Sequence, residues 1–378
     1  MNKKLLLGVI MTSMLVGCGS ESTDVVNNSD TTSNLTISEE AKISYTNFIS
    51  AADPTFAYDI AYELSTNPEY LNSDLGGRTS GSVAEHKAAE YLKDVMLEIG
   101  LTDVQKIGAN ADTWQQNDST LIIDGKEYVI SSYASSGTSE KGITSEIVYV
   151  NDGTMWDYEN IDVTDKIVLI DINMRENWWI TYPMLEAEFQ GAAAIISANV
   201  GGYAQIADDA LNNQDICAPI SIPSVSIGVA DAKEIQEKIL QGKTMATLIV
   251  DNIVEEGGVT YNIIGKIPGK SDEHQIVVGA HYDMYFNGFQ DDSAAVGLSL
   301  AMAKAMIDSG YTPENDIIFS MHGAEEWGSI GTQYDWTVGA WEMVNTLNPE
   351  WTDKTLAFIN FELPAYAFGT STKTAAGI

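Results

Sequence analysis

The feature that most restricts the fold of this chain is a series of short apolar runs in its last third. Gln275-Ile276-Val277-Val278-Gly279-Ala280 is apolar after its first residue and shows no polar alternation. Such a run is expected of a strand covered on both faces. Asn262 to Ile267 precedes it as a further strand, and Ile317-Ile318-Phe319-Ser320-Met321 and Leu356-Ala357-Phe358-Ile359-Asn360-Phe361 follow it. A helix is predicted over 292–309, closed by Gly310. Strands alternating with helices make this part a layered α/β domain.

The chain has 378 residues, more than one core usually holds, so two domains are expected. Residues 38–111 are expected to form the N-terminal part of the first domain; 38–100 read as helical, with apolar residues at helical spacing from Ala57 to Leu64. After the loop Gly76-Gly77-Arg78-Thr79-Ser80-Gly81, Ser82 and Glu85 form a capping box for a helix over 83–99. From 112 to 260 the texture changes to short β-type runs, such as Ile147-Val148-Tyr149-Val150 and Ile167-Val168-Leu169-Ile170, separated by turns. This segment is expected to be a β-rich insert, with 261–378 returning to the first domain. Gly257-Gly258 reads as a turn, not a phosphate loop. Trp178-Trp179, within the insert, reads as core.

The N-terminus reads as an address. Lys3 and Lys4 precede an apolar run over 5–16, shorter than the ~20 residues a spanning helix needs. The run ends in Leu15-Val16-Gly17-Cys18, which resembles a bacterial lipoprotein signal over 1–18. Cys18 would then carry the lipid and hold the protein to the outer side of a membrane. Residues 19–37, rich in Ser, Thr, Asn and Asp, read as a flexible tether. The other cysteine, Cys217, reads as a passive thiol, and two cysteines exclude a cysteine zinc cluster. A formal charge of -35 argues against nucleic-acid partners.

Chemistry concentrates at the ends of the apolar runs. His281 and Asp283 follow one, Asp291 and Asp292 open the next helix, Glu325 and Glu326 follow another, and Glu362 follows the last. Open α/β sheets place their sites at such strand ends. Clustered carboxylates repel one another unless a cation lies between them. One imidazole with several carboxylates suits Zn²⁺ or a similar divalent ion. His281 and Asp283 fall on one side of an extended strand, so Asp283 can orient the imidazole. Glu325 and Glu326 point differently, so one can bind metal while the other handles protons.

The blocks Gly279-Ala280-His281-Tyr282-Asp283, Asp291-Asp292-Ser293-Ala294-Ala295-Val296 and Gly323-Ala324-Glu325-Glu326-Trp327-Gly328 resemble the signature of metallopeptidase family twenty-eight. That family includes di-zinc aminopeptidases and the glutamate carboxypeptidase and transferrin-receptor branch. The loop and helix over 77–100 resemble its N-terminal part, and 112–259 is similar to a protease-associated domain. The resemblance implies a zinc-exopeptidase domain with a mostly parallel mixed sheet flanked by helices, plus an inserted β-rich module. It implies two Zn²⁺ ions bridged by Asp291, with His281 and Glu362 on one ion and Glu326 on the other. It further implies Glu325 as general base, Asp283 as the support of His281, and peptide substrates. Asp292 falls where the family varies and is given no role.

Two departures stand out. Glu362 occupies a position that is Asp in many members. The family also supplies one more His near its C-terminus, and none of the four His here (His86, His274, His281, His322) follows Glu362. The chain is accordingly expected to be truncated at its C-terminus, with a single-metal or inactive form as the alternative. An aminopeptidase is the first reading. A non-catalytic, receptor-like binding protein and a zinc carboxypeptidase or amidase are the alternatives.

Overall fold

The structure is a computed structural model that describes residues 38–173, 181–201, 207–213, 221–332 and 335–364. Cys18, Cys217 and the Trp178-Trp179 pair lie outside the described residues. Among the described residues no helix is long and apolar enough to cross a membrane.

Three helices open the described chain. α1 (Glu39–Ala51) buries no residue. α2 (Pro54–Thr66) starts where Asp53 accepts the amides of Thr55 and Phe56, with proline in the first turn, and buries Ala57, Ile60, Ala61 and Leu64. α3 (Val83–Glu98) buries Ala84, Ala88, Leu92, Val95 and Met96, the stripe that its spacing predicts. Its capping box forms only by half. Ser82 Oγ accepts the Glu85 amide at 3.2 Å, but the Glu85 side chain turns into the protein instead of back to the cap.

Two long antiparallel strands then run the length of the sheet. β1 (Thr102–Ile123) pairs with β8 (Thr244–Ile267) from Thr102↔Lys266 to Ile123↔Ala246, with register shifts at three points. The residues around 112 and 260, where the sequence changes texture, lie inside these strands. Gly257 and Gly258, read as a turn, are also inside β8, beside the shift at Ala111/Thr113. A Cβ on Gly258 would stand 2.1 Å from Thr113 Cγ2, so only glycine fits against the irregular ladder.

Around the pair stand β2 (Lys126–Tyr128), β3 (Ile130–Ser132), β4 (Ile143–Tyr149), β5 (Ile167–Asn173), β6 (Ala194–Gly201) and β7 (Ser224–Ile227). Helices α4 (Thr181–Phe189) and α5 (Val229–Gln241) belong to the same region. The last third supplies β9 (Ser271–His281), α6 (Ala294–Asp308), β10 (Asn315–His322), α7 (Val338–Glu342), α8 (Trp351–Lys354) and β11 (Thr355–Asn360). Among the described residues the strands join in one mixed sheet, ordered β11-β9-β10-β8-β4-β5-β6-β7-β3. β9 pairs in parallel with both β10 and β11, which brings the ends of these strands to one edge.

Separate cores fill the two ends of the sheet. Leu92, Met96, Ile263, Val278, Tyr282, Leu300, Phe319 and Met321 pack together beneath α2, α3 and α6. Phe319 and Leu92 are fully buried, each contributing about 1.5–3 kcal/mol of burial free energy. α2 and α6 approach so closely that a Cβ on Gly297 would meet the Ala57 carbonyl at 2.2 Å. Around β4–β7 a second core gathers Leu121, Ile167, Leu169, Ile196, Val225 and Leu248. A small third group, Trp114, Ala134 and Trp327, ties β1 to the segment just after Glu326, with the indoles edge to face at 6.0 Å.

Candidate metal centre

The parallel pairing of β9 with β10 sets His281 opposite His322 at the strand ends. Beyond β9 the chain pairs with the segment after α2, Arg78 exchanging backbone bonds with Met284. Beyond β10 it turns through Gly323 and Ala324, the latter with a left-handed φ of 50°. This turn is tightly packed: a Cβ on Gly339 would meet the Gly323 carbonyl at 2.0 Å, and one on Gly323 would meet Thr260 Oγ1 at 2.2 Å. Asn262, fully buried on β8, accepts the Gly323 amide and donates to the Gly339 carbonyl. The site's carboxylates therefore stand on backbone held from several elements.

Among the described residues one group offers ligand atoms that lie within 4.8 Å of one another: His281, Asp291, Asp292 and Glu362. His281 Nε2 is 3.1 Å from Asp291 Oδ1 and 3.3 Å from Glu362 Oε1. Glu325 Oε2 stands 3.8 Å from the same nitrogen. The imidazole is buried, whereas the Asp291 and Glu362 side chains are 45% and 41% exposed, so the group opens to solvent on their side. The Asp291–Asp292 peptide is cis. Three of the expected residues, His281, Asp291 and Glu362, thus meet at one point. Glu326 is buried beside them but is not within that group.

Asp283 does more than face the imidazole. Its Oδ1 lies 3.5 Å from His281 Nδ1, and its backbone carbonyl is 3.0 Å from the same atom. The carboxylate also accepts the Glu325 amide at 2.9 Å and the Glu326 amide at 3.0 Å. One buried carboxylate therefore fixes both the imidazole and the glutamate pair.

Electrostatics within the group are strongly perturbed. Burial pushes Glu325 up to about 7, with His281 drawing it down and Asp283, Glu362 and Asp291 pushing it further up. Burial and then Asp291 raise Glu326 well above the carboxylate range. Burial opposes the charged form of His281, but its bonds to Asp283, Asp291 and Glu362 outweigh this and raise it. His322 is pushed down to about 4 by burial and by His281, and neither ring nitrogen has a partner among the described residues.

Asp292, given no role from sequence, is fully buried. Its Oδ2 accepts the His281 amide at 3.4 Å, and its Oδ1 is buried without a partner among the described residues. The only sequence signal for it was its place before the apolar start of α6. Also missed was the support behind Tyr282. Arg78, fully buried, donates Nε to the Tyr282 carbonyl at 2.6 Å and Nη1 to the carbonyls of Leu64 and Tyr70. Glu85 accepts the Tyr282 hydroxyl, the Thr260 hydroxyl and the Tyr261 amide.

One imidazole nitrogen, converging carboxylate oxygens and an orphaned buried oxygen on Asp292 fit a divalent cation of the zinc type. Lone negative groups at such spacing are otherwise costly.

Comparison with known proteins agrees. Residues 262–374 match the model of peptidase family M28, and 134–235 match that of the PA domain. A probable leucine aminopeptidase 2 of Aspergillus fumigatus is 28% identical over 297 residues, covering 77% of this chain and 55% of that protein. Aminopeptidase YwaD of Bacillus subtilis is 26% identical over 273 residues, covering 70% and 55%. The chain therefore spans about half the length of the curated relatives it matches. Among solved structures, a zinc aminopeptidase from Bacillus subtilis superposes with a TM-score of 0.62 at 23% identity, covering 82% of this chain and 69% of that one. A peptidase M28 precursor from Shewanella amazonensis gives 0.64 at 20%, covering 85% and 73%. These likenesses speak to the fold. The match to the peptidase family M28 model takes in β9, β10 and every residue of the cluster, and that to the PA domain model takes in β4 to β7.

Proposed function

We propose that this protein is a zinc-dependent aminopeptidase that removes residues from the amino ends of peptides. The observation that carries the reading is the meeting of His281, Asp291 and Glu362, with Glu325 Oε2 3.8 Å from the same imidazole nitrogen. The similarity to proteins named leucine aminopeptidases selects the substrate end. His281, Asp291 and Glu362 would hold one ion, and Glu326 together with Asp291 a second. When bound, zinc supplies Lewis acidity, making water a stronger acid and a peptide carbonyl a better electrophile.

The remaining steps fall to the chain's own residues. Glu325 is the general base. Its carboxylate, partly buried beside the cluster, would take a proton from the attacking water and return it to the leaving amine. Asp283 holds the amides of Glu325 and Glu326, so the base keeps its place as its charge changes. Burial of His281 and Asp292 keeps bulk water from the inner side of the group. Export and lipid attachment through Cys18 would confine this activity to peptides outside the cytoplasm, with the membrane met only through the anchor.

The test is zinc content together with hydrolysis of leucine p-nitroanilide by the protein and by Glu325→Gln. Loss of about 10²–10⁴ in kcat with zinc retained is expected of a lost general base. Undiminished kcat in the variant would remove Glu325 from the mechanism. Cleavage from the carboxyl end of a peptide ladder, with none from the amino end, would favour the carboxypeptidase reading instead.

A further inference from the structure

We infer that a cavity beside the glutamate turn is a binding site for an organic cation, an ammonium or guanidinium group such as ends a lysine or arginine side chain. The cavity measures about 650 Å³, within the range of small-molecule sites. Its wall includes Asp112, Gly328, Trp336, Trp341 and Glu342, none of which belongs to the metal centre.

Glu342, at the end of α7, carries the argument. It is 7% exposed, yet its carboxylate is poorly served. Oε2 accepts from Asn110 Nδ2 at 3.4 Å and Oε1 from Thr346 Oγ1 at 3.4 Å, both at the outer limit of a hydrogen bond. Among the described residues no lysine, arginine or histidine pairs with it. A buried carboxylate in this condition lacks the cation or strong donors that normally accompany one. The other acid of the wall, Asp112, is already committed, its oxygens accepting the amides of Gly257 at 2.8 Å and Ile330 at 2.6 Å. Glu342 is thus the wall acid with capacity left for a ligand.

The rest of the wall suits the same ligand. Indole faces attract cations, most strongly where water is partly excluded. Trp341 is 58% exposed and Trp336 half-buried at the cavity. The segment bearing them is fixed in place, because the Thr337 amide donates to the Glu325 carbonyl at 2.7 Å. A formal charge of -35 over the chain raises the local concentration of cations.

Calorimetric titration of the full chain tests this with N-acetyl-L-arginine amide, N-acetyl-L-lysine amide and the neutral N-acetyl-L-norleucine amide. The blocked amino groups keep the probes from behaving as aminopeptidase substrates. At least one cationic probe is expected to bind saturably and about tenfold more tightly than norleucine, whether or not zinc is present. The better of the two cationic probes identifies the head group. Glu342→Gln should weaken that binding about tenfold, and Trp341→Ala about threefold or more. Cationic probes binding no better than norleucine, or equally well to Glu342→Gln, overturn the assignment. Should Glu342→Gln not fold, unchanged affinity in Trp341→Ala, a substitution at an exposed position, overturns it instead.

Discussion

The carboxylate of Asp283 accepts the backbone amide of Glu326 at 3.0 Å while its other oxygen faces the His281 ring. The end of β9 and the turn after β10 are joined through this one side chain. Asp283→Asn keeps the shape but replaces one acceptor oxygen with a donor, so the amides of Glu325 and Glu326 lose a charged partner. Zinc affinity, measured by competition with a fluorescent chelator, is expected to fall about 10- to 100-fold. kcat should fall more than KM rises, because the displaced group is the proposed base and not a proposed substrate contact. Unchanged affinity and kcat would show that the turn holds itself.

Arg78 has no carboxylate within ion-pair distance among the described residues, yet its guanidinium is fully buried and lowered to about 10 chiefly by desolvation. It stays charged at neutral pH, serving the carbonyls of Tyr282, Leu64 and Tyr70. Arg78→Met removes the charge and leaves two buried acceptors and one half-buried acceptor unpaired, at a cost of roughly 3 kcal/mol. Arg78→Lys keeps a charge but cannot span the same three carbonyls, so it should lie between. Urea unfolding of the three proteins gives the order, and a Met variant as stable as the parent would refute it.

Glu85 supplies a pH dependence. Burial above all raises its pKa from 4.5 to about 8. Between these values the unfolded chain releases the proton while the folded protein keeps it. The folded state therefore binds more protons, and stability falls as pH rises from about 4.5 to 8. Glu85→Gln carries no such proton, and its oxygen can still accept from Tyr282. Its stability relative to the parent should thus be greater at pH 8 than at pH 5, read from urea midpoints at the two values. A parallel pH dependence in both proteins would mean that Glu85 is ionised throughout.

How much of this was legible follows from where each residue sits. His281 and Glu362 each end an apolar run and Asp291 opens the helix between two of them, so the alternation that fixed the strands also marked their meeting place. Asp292 was not separable from Asp291 in sequence, because only the fold decides which of two adjacent carboxylates turns inward. Glu85 was misread in its partner: Ser82 and Glu85 form a local pattern of a surface cap, but Tyr282 and Thr260, distant in sequence, draw the carboxylate inside. Arg78 followed two glycines and read as part of a turn. Its true surroundings are carbonyls from three separate segments, which no local pattern records. The length of β1 was hidden too, since its Asn, Gln and Thr residues suit a ladder only once β8 is beside them.

The choice between Glu362 and Asp292 as a ligand of the proposed zinc gives the last prediction. Both lie in the cluster. Glu362 Oε1 is 3.3 Å from His281 Nε2, and its side chain is 41% exposed, free to move toward an ion. Asp292 is fully buried, and one of its oxygens already accepts the His281 amide. Glu362→Ala removes a donor, whereas Asp292→Asn retains an oxygen for that amide and alters the cluster mainly in charge. Zinc raises the melting temperature in proportion to ln(1 + [zinc]/Kd). The zinc-dependent rise should therefore shrink strongly in Glu362→Ala and only partly in Asp292→Asn, with His281→Ala abolishing it. A larger loss in Asp292→Asn than in Glu362→Ala would transfer the ligand role to Asp292, and equal rises in all variants would place zinc elsewhere.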